Sequence, residues 1–279
     1  EMTMNIHPLR ELIKDKGLMA EIANTYGTPS YIYVKDRVEH NISRLTNALN
    51  THFTNHHICY AIKANSNPNL LKVMKSVCNN LGGDCSSPGE IYAAELGGIA
   101  PEDCIYTGNY ESIHDLSFAM DKGCYLNLDD ETSLDRLLKI GIPERISFRL
   151  NPGFGKGTFS QITTAGEDAK FGIPAEKIIT AYQKAKDAGV KRFGLQCMAG
   201  SGNLDESYFI ELLTAIIHHT KRIETKLNIQ FEFISMGGGL GIPYRDEESP
   251  LNYDRLFSQL SKVLYTNYPE QKNSASPLG

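Results

Sequence analysis

Lys63 stands where a strand-like run gives way to a helix-like one, in "CYAIKANSNPNLL" (Cys59–Leu71). An ammonium placed there needs water or a partner, because burying it alone is costly. Polar residues recur at the ends of the other strand-like runs. Asp84, Ser86 and Ser87 follow one, with Glu90 a helical turn further on. Asn109 follows the next, and Arg149 and Asn151 close a later one. Met198, Gly200, Ser201 and Gly202 end the sixth, and Gly237, Gly238 and Gly239 the seventh. Three glycines after an apolar strand allow backbone N–H groups to turn inward and hold an anion, often a phosphate. One such run alone is explained as well by a tight turn. With Ser201 and its flanking glycines on the neighbouring strand, the anion reading gains. A phosphate grip and an amine are what pyridoxal phosphate requires, the amine forming an imine with it. On placement alone, a structural lysine paired with Asp84 or Glu90 explains Lys63 equally well.

These residues need a scaffold that brings strand ends together. From residue 56 onward, strand-like and helix-like segments alternate through seven β/α repeats. The strands are "HHICYAIKAN", "GGDCSS", "DCIYTGN", "CYLNLDD", "RISFRLNPG", "RFGLQCMAGSG" and "FEFISMGGG". Helical spacing puts Leu70, Leu71, Met74, Val77 and Cys78 on one side of the first helix. Such alternation predicts the α/β class, a parallel sheet with helices outside it. Seven units in a row favour a (β/α)8 barrel over a doubly wound open sheet, with the active site at the C-terminal strand ends. Residues 1–35 form a preface with a helix at "LRELIKDKGLMAEIANTYG" and a strand at "PSYIYV"; residues 36–279 form the barrel. No eighth strand follows the last helix, so an open barrel with exposed edges, and a truncated chain, is the expectation.

Composition narrows the class. Of 279 residues, 41% are hydrophobic and 22% charged, which suits a folded domain. The net charge of −5 and the lack of a basic block argue against nucleic acid as a partner. No apolar run approaches the roughly 20 residues of a membrane span, and the N-terminus lacks the apolar core of a signal peptide. A cytoplasmic protein acting on a small molecule is the expectation. None of the six cysteines is spaced as CxxC, so buried thiols are expected rather than disulfides or zinc ligands. The pair His218 and His219 falls on a helix, and "RDEESP" (Arg245–Pro250) reads as a solvated loop.

"YAIKANSNPNLL", "GGDCSSPGEIYAAELGG", "YTGN", "RLNPG", "AKFGIP", "GSG" and "MGGGLGIPY" occur in this order between Tyr31 and Tyr244. As a set they resemble the fold-type III, pyridoxal-phosphate-dependent decarboxylases, whose barrel is of the alanine racemase-like kind. "GGGLGIPY" and "KANSN" resemble the diaminopimelate branch more than the ornithine branch. The resemblance implies decarboxylation of meso-diaminopimelate to L-lysine and CO2 by a homodimer with shared active sites. It implies that Lys63 carries the cofactor, that Asp84 and Arg149 line its pocket, and that Ser87 and Glu90 support it. Ser201, Gly237, Gly238 and Gly239 would hold the phosphate. The loop over 157–172 would lie near the substrate entrance.

Two departures bear on this. The family's histidine on the cofactor ring is replaced by Met198, in "MAGS", and Gln196 stands where another histidine is frequent. A methionine can pack on an aromatic ring but donates no proton. The family's "EPGR" strand, its C-terminal β-domain and a cysteine-bearing loop reaching the partner subunit are absent from these 279 residues. Residues 1–35 would pack with that β-domain, and the chain alone is expected to lack catalytic competence. The alternatives are a related decarboxylase acting on another amino acid or a polyamine precursor, a non-catalytic pyridoxal-phosphate-binding protein, or an unrelated phosphate-binding barrel.

Overall fold

The computed structural model describes residues 12–153 and 171–272. After helices α1 (Lys16–Tyr26) and α2 (Lys35–His52), strand and helix alternate. The order is β1 (Ile58–Ala61), α3 (Pro68–Val77), β2 (Leu81–Cys85), α4 (Pro88–Leu96), β3 (Cys104–Tyr106), α5 (Ile113–Asp121), β4 (Tyr125–Leu128) and α6 (Glu131–Leu137). Then come β5 (Arg145–Asn151), β6 (Ile173–Pro174), α7 (Ile178–Asp187), β7 (Arg192–Cys197), α8 (Glu206–Leu227), β8 (Phe231–Ser235) and α9 (Tyr253–Asn267). All the strands pair in parallel, in the order β1-β2-β3-β4-β5-β7-β8, with the short β6 beside β5. This is the expected α/β barrel architecture, curled but open. Among the described residues no strand joins β1 to β8.

The middle strands are buried on both faces, which is why they read as apolar runs, while the edge strands β1 and β8 are mostly half-buried. Leu126, Leu128, Ile146, Phe148, Leu150, Leu195 and Cys197 are at most 1% exposed. The inner face carries Asn127, Ser147 and Gln196, all buried. The helix starts are written into the loops that leave the strands. Asn67, Ser87, Ser112, Asp130, Asp205 and Asn252 each cap the helix that follows, accepting a backbone N–H of its first turn. Pro68 and Pro88 open α3 and α4, where a missing N–H costs nothing. These caps fix where each loop ends at the barrel mouth.

Helix α2 packs on α3 and on α9, so the helical layer continues across the gap between β1 and β8. His52 pairs with Asp254 at 2.7 Å, Phe53 meets Phe257 edge-on, and the Thr54 N–H donates to the Tyr265 hydroxyl.

Two expectations need correction. "PSYIYV" forms no strand: no neighbouring strand satisfies its backbone, and Tyr31 is 93% exposed. Val77 is exposed on α3, while Leu71, Met74 and Cys78 face the core. Ile173 and Pro174, in "KFGIP", form the short β6 beside β5. The cysteines are free thiols, buried except for the half-buried Cys59.

Candidate functional site

Lys63 lies in a single 3-10 turn, Ile62–Ala64, directly after β1, with its side chain exposed and Ile62 buried beneath. Its electrostatic partner is Asp84 at the end of the adjacent β2. Burial pushes the Asp84 carboxyl up to about 6; Lys63 and Arg149 draw it down, and Glu90 adds to the rise. Glu90 itself is taken by the start of α4. Its carboxylate accepts from the Ser86 N–H at 2.7 Å and the Ser86 hydroxyl at 3.0 Å, while Ser87 caps the Glu90 N–H. Glu90 and Ser87 therefore do their work in holding the loop that follows Asp84.

Arg149, at the C-terminal end of β5, is 9% exposed. One Nη donates to Asp129 Oδ1 at 3.3 Å, the other to the Met198 carbonyl at 3.4 Å, and the guanidinium lies 5.1 Å from the Phe171 ring centre. Asp129 was not among the residues singled out from the sequence. It directly follows β4 in "LNLDD", the same strand-end position that identified the others, and that placement is the signal that could have found it. Asn109, with its amide nitrogen turned toward Asp129, lies 3.3 Å from both carboxylate oxygens. Burial raises the Asp129 pKa, and Arg149 and the Gly172 N–H counter this. One layer below, the Asn127 amide donates to Thr107 at 3.0 Å and to Gln196 at 3.3 Å, and its oxygen accepts from the Ser147 hydroxyl. Gln196 thus ties β7 to β4.

The glycine run after β8 has a conformation few other residues adopt. Gly237, Gly238 and Gly239 have φ of 75°, 86° and 80°. A Cβ on Gly237 would lie 2.2 Å from the Cys197 carbonyl and 2.8 Å from Met198 Sδ. One on Gly239 would lie 2.4 Å from the Gly200 carbonyl, whereas one on Gly238 would meet nothing within 4 Å. The loops after β7 and β8 are thus laid against each other and stitched by Asn203 N–H to Gly239 O at 3.0 Å and Gly241 N–H to Asn203 O at 2.7 Å. Among the described residues no hydrogen bond takes the N–H of Ser201, Gly202, Gly238 or Gly239. A double loop with free donors and open space above its central glycine suits a phosphate.

Round the mouth, Asp84 feels the charges of Lys63 and Arg149, Arg149 donates to the Met198 carbonyl, and Met198 lies against Gly237. Ser201 is exposed beside the glycines. The loop expected at the entrance lies outside the described residues as far as residue 170. Tyr244 is 86% exposed and belongs to a turn in which its N–H donates to Glu248. His218 is exposed and His219 half-buried on α8. A groove of about 630 Å3 lies at the opposite end of the strands, lined by Lys186, Arg192 and Phe231 among others, and touches none of the mouth residues. Among the described residues no group of His, Cys, Asp or Glu could hold a metal ion, and no helix is long and apolar enough to cross a membrane.

A parallel α/β barrel with a lysine after its first strand and a run of three glycines after its last defines a class, and comparison with known proteins agrees. The chain belongs to the pyridoxal-dependent decarboxylase family, whose pyridoxal binding domain matches residues 38–275. It is 39% identical over 242 residues to a diaminopimelate decarboxylase of Thermoplasma acidophilum, covering 87% of this chain and 58% of that protein. A diaminopimelate decarboxylase of Methanothermobacter thermautotrophicus is 36% identical over 258 residues, covering 89% and 60%. The crystal structure of diaminopimelate decarboxylase from Helicobacter pylori complexed with L-lysine superposes with a TM-score of 0.79 at 27% identity, over 88% of this chain and 62% of that one. The chain spans about three fifths of the length of these relatives.

Proposed function

We propose that this chain is the cofactor-binding part of a decarboxylase that converts meso-diaminopimelate to L-lysine and CO2. The observation that carries the reading is the placement of Lys63, Asp84, Arg149, Met198 and Gly237–Gly239 at the C-terminal ends of the strands of one parallel barrel, with Arg149 bonded to the Met198 carbonyl and Met198 against Gly237. The residues fit pyridoxal phosphate: an amine with room around it, a carboxyl beside that amine, and four N–H groups without partners among the described residues. Lys63 Nζ would be the point of attachment. Ser201 and Gly237, Gly238 and Gly239 would hold the phosphate, with Met198 packed against the ring. Pyridoxal phosphate supplies the electron sink that accepts the pair left behind when CO2 departs. Asp84, poised near 6, holds a proton on its carboxyl oxygen or gives it up beside Lys63 according to pH. Arg149 donates to Asp129 and to the Met198 carbonyl, and through these bonds it braces the pocket.

The full protein would be a cytoplasmic homodimer acting on an amino acid, with residues 1–35 a preface that packs with a further domain and 36–279 the barrel. A related decarboxylase with another amino-acid or polyamine-precursor substrate is the second reading. Met198 and Gln196 favour it, because neither offers the charged hydrogen bond of an imidazolium.

The test is to incubate the chain with pyridoxal phosphate, reduce with borohydride and map the adduct. One adduct at Lys63, lost in Lys63→Ala, is expected; an adduct elsewhere or none would sink the cofactor reading. CO2 release by a protein of the relatives' length then separates meso-diaminopimelate from lysine, ornithine and arginine.

A further inference from the structure

We propose that Asp129 is a positioning residue: it holds Arg149 across the barrel mouth so that Arg149 anchors the Met198 carbonyl and, through it, the loop bearing Ser201 and Gly202. This rests on the reading of the glycine loops as the phosphate site and deepens it. Asp129 and Arg149 are 8% and 9% exposed, so the charge of each is favoured by the other. Asp129 draws on three elements: Arg149 from β5, the Asn109 amide after β3, and the Gly172 N–H just before β6. Arg149 passes this on to β7 through the Met198 carbonyl.

The Met198 anchor matters because of what packs beside it. The Cα of Gly237 sits so close to Cys197 O and Met198 Sδ that no side chain fits between them. A shift of Met198 therefore moves the glycine run too. Removing the Asp129 charge leaves Arg149 without its hydrogen-bonded counterion, with only the field of Asp84 remaining. The guanidinium then gains by turning toward water, and the Met198 carbonyl loses its donor. Asp129 touches neither Lys63 nor the glycines in the network described above. Its effect should be specific to the part of the ligand that the two loops hold.

The experiment uses Asp129→Asn, with Asn109→Ala as a milder variant that loosens Asp129 without stranding a charge. Hydrogen–deuterium exchange at residues 198–202 should quicken about tenfold in Asp129→Asn, while β1 stays as in the parent, given that a bond to a charged group is worth roughly one decade. Affinity for pyridoxal phosphate should fall by about the same factor, and affinity for pyridoxal, which lacks the phosphate, should stay within about twofold. Asn109→Ala should move both readouts the same way by less. Unchanged exchange at 198–202, or equal losses for the two ligands, would overturn the proposal, the second outcome meaning general structural damage. If the parent takes up neither ligand, the cofactor reading fails, and the exchange result alone decides whether Asp129 positions the loop.

Discussion

Asp84 shows how one residue couples fold and chemistry. Its pKa rises from 3.8 to about 6 because burial outweighs the attraction of Lys63 and Arg149. The folded state therefore binds its proton more tightly than the unfolded chain does. Stability falls as pH climbs from about 4 through about 6, and the full cost applies above that. Asp84→Asn removes the titration. Its stability relative to the parent should be nearly unchanged at pH 4 and higher at pH 7 by at most about 3 kcal/mol, at ~1.36 kcal/mol per pH unit. Chemical denaturation of both proteins at several pH values measures the gap; a gap that does not widen with pH would show that Asp84 stays solvated. Lys63, at the same mouth, was legible as an odd residue in the sequence. Whether its partner was Asp84 or Glu90 was not, because a spacing of a few residues does not show which carboxylate a helix cap consumes.

At the scale of the element, the loops after β7 and β8 are the informative part. Gly238 and Gly239 share a backbone conformation but not surroundings. Gly238→Ala meets only the dihedral cost, about 1–2 kcal/mol. Gly239→Ala adds a clash with the Gly200 carbonyl and should cost clearly more. The order reverses for ligand binding per unit of stability lost, because a methyl on Gly238 points into the open space where the phosphate would sit. Thermal melts alongside pyridoxal phosphate titrations test both halves. The caps behave more simply. Ser112 and Asp115 form a reciprocal box at the start of α5, and Ser112→Ala should cost about 1 kcal/mol with no effect on ligand affinity.

For the whole molecule, the notable feature is that the helical layer runs on where the sheet stops. Helix α2 spans the gap between β1 and β8 by packing on α3 and α9, with Ile42 and Ala48 buried. Helix α1 buries no residue. A chain begun at Val34 should therefore melt within a few degrees of the parent, whereas Ile42→Asp, which buries an unpaired charge, should lose several kcal/mol or fail to fold. Circular dichroism melts of the two variants decide. Equal damage from both would mean that the preface is an integral part of the barrel.

The sequence by itself determined the alternation of strands and helices, the helix starts and the set of strand-end residues, because these are local: period, caps and glycines act within a few residues. It also carried the family, in motifs spread over most of the chain. Tertiary structure decided what distance in sequence hides. It turned the strand-like "PSYIYV" into exposed chain, since a strand needs a neighbour. It assigned Glu90 to a cap, and it put Asp129, 20 residues before Arg149, at the hub of the mouth. Ion pairs and buried amide networks form between strands, and only the register of the sheet fixes which strand ends meet.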